Sequence, residues 1–73
     1  MGRAPMASYR IYFLNEHDRI NAAQPYELED DADAITRGRE LLRQFPHTDA
    51  VEIWQARRFI ARIARNPPSW AKH

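Results

Sequence analysis

The chain has no cysteine and only two glycines, Gly2 and Gly38, among its 73 residues. Without cysteine it can form neither a disulfide nor a zinc site with thiolate ligands. Two distant glycines cannot build the glycine-rich loop that holds phosphate groups in nucleotide-binding proteins. A domain of this size buries only roughly 60% of its unfolded surface. Its stability must therefore come from good packing or from self-association.

Long apolar runs are also missing. No run approaches the roughly 18 residues that a membrane-spanning helix needs. The start of the chain, MGRAPMASYR, has no apolar core and does not fit a secretory signal. We therefore expect a cytoplasmic protein that has no membrane partner.

Motifs that would indicate catalysis are absent too. The sequence contains no nucleophile elbow, phosphate loop, dinucleotide fingerprint or metal-binding helix motif. His17, His47 and His73 lie too far apart to suggest a shared metal ion. Glu16 and Asp18 flank His17, but adjacent side chains in a turn point apart and do not form an acid–base pair. We predict no enzymatic activity and no cofactor.

The charges are nearly balanced but unevenly placed. The formal net charge is +1, which argues against a dedicated polyanion-binding protein. No acidic residue follows Glu52, so the end of the chain is basic. These clusters are either solvated faces or complementary patches that pair between protomers. The acidic cluster is Glu27, Glu29, Asp30, Asp31 and Asp33, and the basic residues after Glu52 are Arg57, Arg58, Arg62, Arg65 and Lys72.

Three segments have the composition of strands. Tyr9 to Leu14 is rich in aromatic and β-branched residues, and the polar run that follows it predicts a turn. Ile20 to Leu28 predicts a second strand. Pro25 within it cannot donate a ladder hydrogen bond, so this strand should lie at a sheet edge or contain a bulge. Val51 to Trp54 predicts a third strand.

A helix is predicted from about Asp31 to Gln44. Its apolar residues recur at spacings of three and four, and Asp30 or Asp31 can cap its free first-turn amides. Gly38 lies on the apolar side, where it costs about 1 kcal/mol relative to alanine. We therefore expect the helix to approach a sheet closely at Gly38.

The segment from Val51 to Arg65 fits two structures. The good helix propensity of alanine and arginine favours a helix from Ala56 to Arg65. Against a helix, no capping residue precedes Ala56, and the side chains from Phe59 to Ile63 alternate as in a strand. We favour the hairpin, which gives an α+β fold of order β-β-α-β-β, with one helix packed on one face of an antiparallel sheet. The predicted domain covers 9–64, between a flexible leader, 1–8, and an extended or disordered tail, 65–73.

The layout YRIYFL, a polar turn, YELEDDADAI leading into an arginine-rich helix, and VEIWQARRFIARI resembles small uncharacterised one-domain alphaproteobacterial proteins of the rhizobial type. The resemblance covers roughly Tyr9 to Ile63. It implies the same fold and a cytoplasmic bacterial setting, but no activity and no functional residues. Those proteins often have glycine and aspartate at the turn after the Trp-Gln pair, where this chain has Ala56 and Arg57.

The length of the hairpin turn decides which side chains share a face. A two-residue turn at Ala56-Arg57 would place Trp54 opposite Phe59, and Ile53 opposite Ile60. A three-residue turn would place Ile53 opposite Phe59. In both registers, large apolar side chains fall on the sheet face that the helix leaves uncovered.

An uncovered apolar face usually marks an interaction surface. We therefore predict a non-enzymatic protein-interaction or assembly module that forms a homodimer through this face. An unidentified protein partner, or cover by Trp70 and the tail, are the alternatives. The predicted partner-binding residues are Tyr12, Leu14, Trp54, Ile60 and Arg62.

Nucleic-acid binding is the alternative function. Arginines on the C-terminal hairpin, together with tyrosine and tryptophan rings, could bind phosphates and stack on bases. The acidic cluster and the small net charge count against it. The residues that this function would use are Arg10, Arg57, Arg58, Arg62 and Arg65.

Overall fold

The fold is known from a computed structural model, which describes residues 6–65. Its elements are β1 (Ala7–Leu14), β2 (Ile20–Leu28), α1 (Asp31–Gln44), β3 (Ala50–Gln55) and β4 (Arg58–Ala64). The predicted β-β-α-β-β order and α+β class are confirmed. β1 begins inside the segment predicted as a leader. Residues 1–5 of that leader and residues 66–73 of the predicted tail, which include Trp70, lie outside the described residues.

The four strands form one antiparallel sheet in the order β2-β1-β3-β4. β2 is an edge strand, as Pro25 predicted, and Pro25 lies opposite Arg10 of β1. β3 and β4 pair directly as a hairpin, so the helical alternative for Ala56 to Arg65 is wrong. Long-range pairing outweighs the helix propensity of this segment because it extends the sheet over the same core.

The helix has the predicted bounds and a defined cap. The Asp30 side chain accepts a hydrogen bond from the Asp33 amide at 2.8 Å, and acidic residues occupy the first turn. The cap satisfies a free first-turn amide, and the acidic side chains offset the positive end of the helix dipole. At the other end, the Phe45 amide donates to the carbonyl of Leu41 at 2.9 Å.

The core lies between α1 and one face of the sheet. Ile11, Val51 and Ile53 are fully buried on the two central strands, and Leu41 packs on them from the helix. Gly38 faces the sheet so closely that an added Cβ would lie 2.9 Å from Ile63 Cδ1. The predicted close approach at Gly38 is confirmed.

The β3–β4 turn is the two-residue turn, but the register beyond it differs from the prediction. Trp54 lies opposite Phe59 as predicted, whereas Ile53 lies opposite Ala61 instead of Ile60. A bulge at Ile60 adds one residue to β4 and reverses the facing of everything after it. Arg62 therefore shares a face with Trp54, and Ile63 packs against the core.

The turn residue Ala56 has a φ of 54°, in the left-handed region. This conformation costs a non-glycine residue roughly 1–2 kcal/mol. We expect Ala56→Gly to raise the free energy of unfolding by about 1 kcal/mol, measured by urea denaturation. Ala61→Gly, in the middle of β4, is the control and should lower stability. Equal effects of the two substitutions would contradict the strain at Ala56.

Candidate interaction surface

The sheet face away from α1 is called the outer face here. Side chains alternate along each strand, so the residues between the core residues of β1 and β3 point to this face. The pairing across strands then fixes its members on β2 and β4. The outer face consists of Ser8, Arg10 and Tyr12 on β1, Ala23, Pro25 and Glu27 on β2, Glu52 and Trp54 on β3, and Phe59 and Arg62 on β4.

Aromatic rings occupy the middle of the outer face. Trp54 and Phe59 pack edge to face with ring centroids 5.3 Å apart, and Phe59 is 49% exposed. Tyr12 and Trp54 are half-buried. Such rings supply most of the contact energy when a partner covers them.

Two shallow hollows lie side by side around these rings. One, of about 340 Å³, includes Arg10, Tyr12 and Pro25 in its lining. The other, of about 420 Å³, is lined by Tyr12, Trp54 and Arg57 among others. Both include Tyr12 and Ala56, so they form one continuous depression that is open to solvent.

Ion pairs occupy the far end of the outer face. Arg62 contacts Asp18 from the β1–β2 turn, and its Nη1 lies 3.1 Å from Glu52 Oε2. Glu52 also accepts a hydrogen bond from the Trp54 indole at 3.2 Å. The bond to Asp18 raises the pKa of Arg62. The Arg62 charge is therefore satisfied within the chain.

Arg58 is held in a second cluster beside the start of α1. Its guanidinium reaches both Asp31 carboxylate oxygens, at 3.1 and 3.2 Å, and the buried Tyr9 hydroxyl donates to the same carboxylate at 2.8 Å. The bond from Arg58, followed by the bond from Tyr9, lowers the pKa of Asp31, and the bond to Asp31 raises the pKa of Arg58. Burial raises the pKa of Tyr9. The cluster ties β1 and β4 to the helix.

The lowered pKa of Asp31 makes stability depend on pH. The folded pKa lies below the unfolded value of about 4, so the stabilisation is present above pH 4 and is lost as pH falls through the folded pKa. We expect the stability difference between wild type and Asp31→Asn to be largest near neutral pH and to shrink below pH 4. Urea denaturation at several pH values measures it. A difference that is constant from pH 7 to pH 3 would contradict the cluster.

Arg65 is bound to the end of the helix. Its guanidinium donates to the carbonyl oxygens of Leu42 at 2.8 Å, Phe45 at 3.0 Å and Thr48 at 2.6 Å. These are carbonyls at and beyond the C-terminus of α1, which otherwise lack helical donors. The arginine also places a positive charge at the negative end of the helix dipole.

We expect Arg65→Ala to lower the free energy of unfolding by about 2 kcal/mol, because the charged donor serves three carbonyl groups. Arg39→Ala, on the exposed side of α1, should change it by less than about 0.5 kcal/mol. Thermal or urea unfolding compares the two. Equal effects would show that the Arg65 bonds contribute nothing.

Two of the five arginines predicted for nucleic-acid binding keep open charges, that is, charges that no acidic side chain among residues 6–65 neutralises. Within residues 6–65, Arg10 and Arg57 are exposed and have no acidic partner. Arg58, Arg62 and Arg65 are engaged as described above. Three of the five predicted arginines are therefore bound within the fold, and the other two lie at the hollows.

The predicted partner-binding residues also divide. Tyr12, Trp54 and Arg62 lie on the outer face as predicted. Leu14 is only 4% exposed, so its side chain is not part of the accessible surface. Ile60 is partly buried and packs against the core, the side on which the two-residue turn places it. Placing Leu14 and Ile60 on the accessible outer face was therefore wrong. Leu14 is buried, and Ile60 would reach that face only with the three-residue turn.

Sequence reasoning missed three members or neighbours of this surface. Phe59 and Pro25 lie on the outer face, and Ile20, 59% exposed, lines one hollow. A signal for Phe59 existed in the two-residue register, which placed it beside Trp54. Ile20 gave no signal, because its position depends on an irregular pairing next to Leu14.

Residues 6–65 contain no group of three or more histidine, aspartate or glutamate side chains arranged to hold a metal ion. No helix in this range has the length and apolar character to cross a membrane. Comparison with models of protein families, with curated proteins and with solved structures finds no match to this chain.

Proposed function

We propose that the chain is a small non-enzymatic interaction module that self-associates through the outer face. The observation that supports this is the aromatic pair of half-buried Trp54 and exposed Phe59, beside a depression edged by Arg10 and Arg57. Aromatic and arginine side chains are the residues most enriched at the energetic centre of protein interfaces. Their placement on one flat face suits the docking of a second folded surface.

A protein partner fits this face better than a polyphosphate chain. Among residues 6–65, the open positive charges at this surface are Arg10 on the outer face and Arg57 in the adjoining turn, whereas Glu27 and Glu52 lie on the same face. Nucleic-acid binding depends on neutralising several phosphates, and each nearby carboxylate opposes it. The acidic side chains are tolerated in a protein interface, where charges of both signs set the orientation.

Sedimentation velocity at micromolar concentrations tests self-association. We expect a concentration-dependent dimer and a dissociation constant for Trp54→Ala at least about tenfold higher, because truncating a central aromatic costs more than 1.4 kcal/mol. Phe45→Ala, an exposed ring at the end of α1, is the matched control and should leave association unchanged. A monomer at all concentrations, or a dimer that Trp54→Ala does not weaken, would refute the proposal.

Single-stranded nucleic acid is a second candidate because Tyr12 and Trp54 line the same hollows as the two open arginines. Bases could stack on these rings while Arg10 and Arg57 contact phosphates. This function predicts salt-sensitive binding of labelled single-stranded DNA or RNA that Arg10→Ala/Arg57→Ala abolishes. Absence of binding at low salt would remove this candidate.

A further inference from the structure

We propose that the second copy docks about a two-fold axis that runs parallel to the strands between β1 and β3. In this arrangement Glu27 of each copy faces Arg57 of the other. The inference rests on the proposed self-association through the outer face and specifies its orientation. It follows from the placement of charges on that face.

Glu27 and Arg57 lie at the same end of the outer face but on opposite edges. Glu27 on β2 is the pairing partner of Ser8 on β1. Because Arg10 pairs with Trp54, Ser8 lies level with Ala56, and both residues line the same hollow. Arg57 follows Ala56 in the turn between β3 and β4. Two to three strand spacings, roughly 10–14 Å, therefore separate Glu27 from the turn across the sheet.

Both side chains carry charge that is not neutralised within residues 6–65. Glu27 is exposed and accepts a hydrogen bond from the Ser8 hydroxyl at 2.7 Å, and it has no basic partner in that range. Arg57 is exposed and has no acidic partner there. The two sides of this face thus carry unpaired charges of opposite sign, negative at Glu27 and positive at Arg57.

A two-fold axis along the strands exchanges the two edges without exchanging the two ends. β2 of one copy then lies over β4 of the other, so each Glu27 meets the second copy's Arg57, and the pair forms twice. β1 lies over β3 in the same way. Since Arg10 and Trp54 are level on these strands, each Arg10 guanidinium is placed over the second copy's Trp54 ring.

The other in-plane axis is less favourable. A two-fold axis perpendicular to the strands reverses their ends, so that Arg57 meets the far end of β4. The carboxylates there, Asp18 and Glu52, are already paired with Arg62, so this axis gives Arg57 no unpaired acidic partner at that position. The charge layout therefore favours the axis parallel to the strands.

Charge reversal in sedimentation equilibrium tests the orientation. We expect Glu27→Arg alone and Arg57→Glu alone each to raise the dimer dissociation constant about tenfold or more, because each converts two attractive pairs into repulsive ones. The double variant Glu27→Arg/Arg57→Glu restores both pairs with exchanged signs, and its dissociation constant should return to within about threefold of wild type. Arg39→Glu, on the exposed side of α1, is the control and should have no effect. Circular dichroism verifies that each variant is folded.

The outcomes separate this inference from the proposed function. A wild-type monomer at every concentration would overturn both. A wild-type dimer that Trp54→Ala weakens, but that the single reversals leave unchanged, would overturn the orientation alone. A double variant as weak as the single ones would also overturn it. Recovery in the double variant supports the Glu27–Arg57 pairing.

Discussion

Replacing Ile53 with alanine is expected to lower the free energy of unfolding by about 2–5 kcal/mol, the range found when a large buried aliphatic side chain is truncated. Ile53 is 0% exposed and lies on a central strand, between Ile11 of β1 and Ala61 of β4. Neighbouring β-strands cannot collapse into the space left behind without losing their pairing. The cost should therefore lie in the upper part of that range.

The chain supplies a matched control for this substitution. Ile20→Ala removes the same atoms from a side chain that is 59% exposed, so it should cost less than about 1 kcal/mol. Urea denaturation followed by circular dichroism measures both variants. A small domain has little stability in reserve, and Ile53→Ala should be largely unfolded at 37 °C. Similar losses for the two variants would contradict the placement of the core.

Enlarging Gly38 is the second substitution with a large expected effect. An added Cβ alone would lie 2.9 Å from Ile63 Cδ1, 3.1 Å from Ile53 Cδ1 and 3.2 Å from Val51 Cγ2. Gly38→Leu would force the helix away from the sheet and should cost about 3 kcal/mol, the upper end of the usual range for overpacking. Ala32→Leu, on the exposed side of α1, should have little effect in the same denaturation experiment.

A double-mutant cycle identifies the contact responsible. Ile63→Val removes the Cδ1 atom closest to the added Cβ of Gly38→Ala. We expect Ile63→Val to be less destabilising by at least 0.5 kcal/mol, on the order of a contact coupling, in the Gly38→Ala background than in wild type. Additive effects would show that the helix does not rest on Ile63 at this point.

Much of the architecture could be predicted because it depends on local rules. The bounds of α1 follow from apolar spacing and from the Asp30 cap, and the edge position of β2 follows from Pro25. Gly38 indicated a close approach because a central helical glycine is costly without one. Each of these inferences uses residues within one element, where geometry is nearly independent of the rest of the chain.

The candidate surface depended on more distant interactions. Strand alternation placed Tyr12 and Trp54 on the outer face, but behind the two-residue turn only the bulge at Ile60 brings Arg62 to that face. A bulge leaves the alternating pattern intact on both sides. The sequence therefore offered no sign of it.

The sequence alone determined the element order, the helix and the presence of more apolar residues than one covered face can use. The tertiary structure alone decided which arginines remain open. Arg62 meets an aspartate 44 positions away, and Arg58 meets one 27 positions away. Such pairs form because the fold brings the β1–β2 turn and the start of α1 beside β4, a proximity that sequence separation does not reveal. That selection leaves Arg10 and Arg57 beside the aromatic rings.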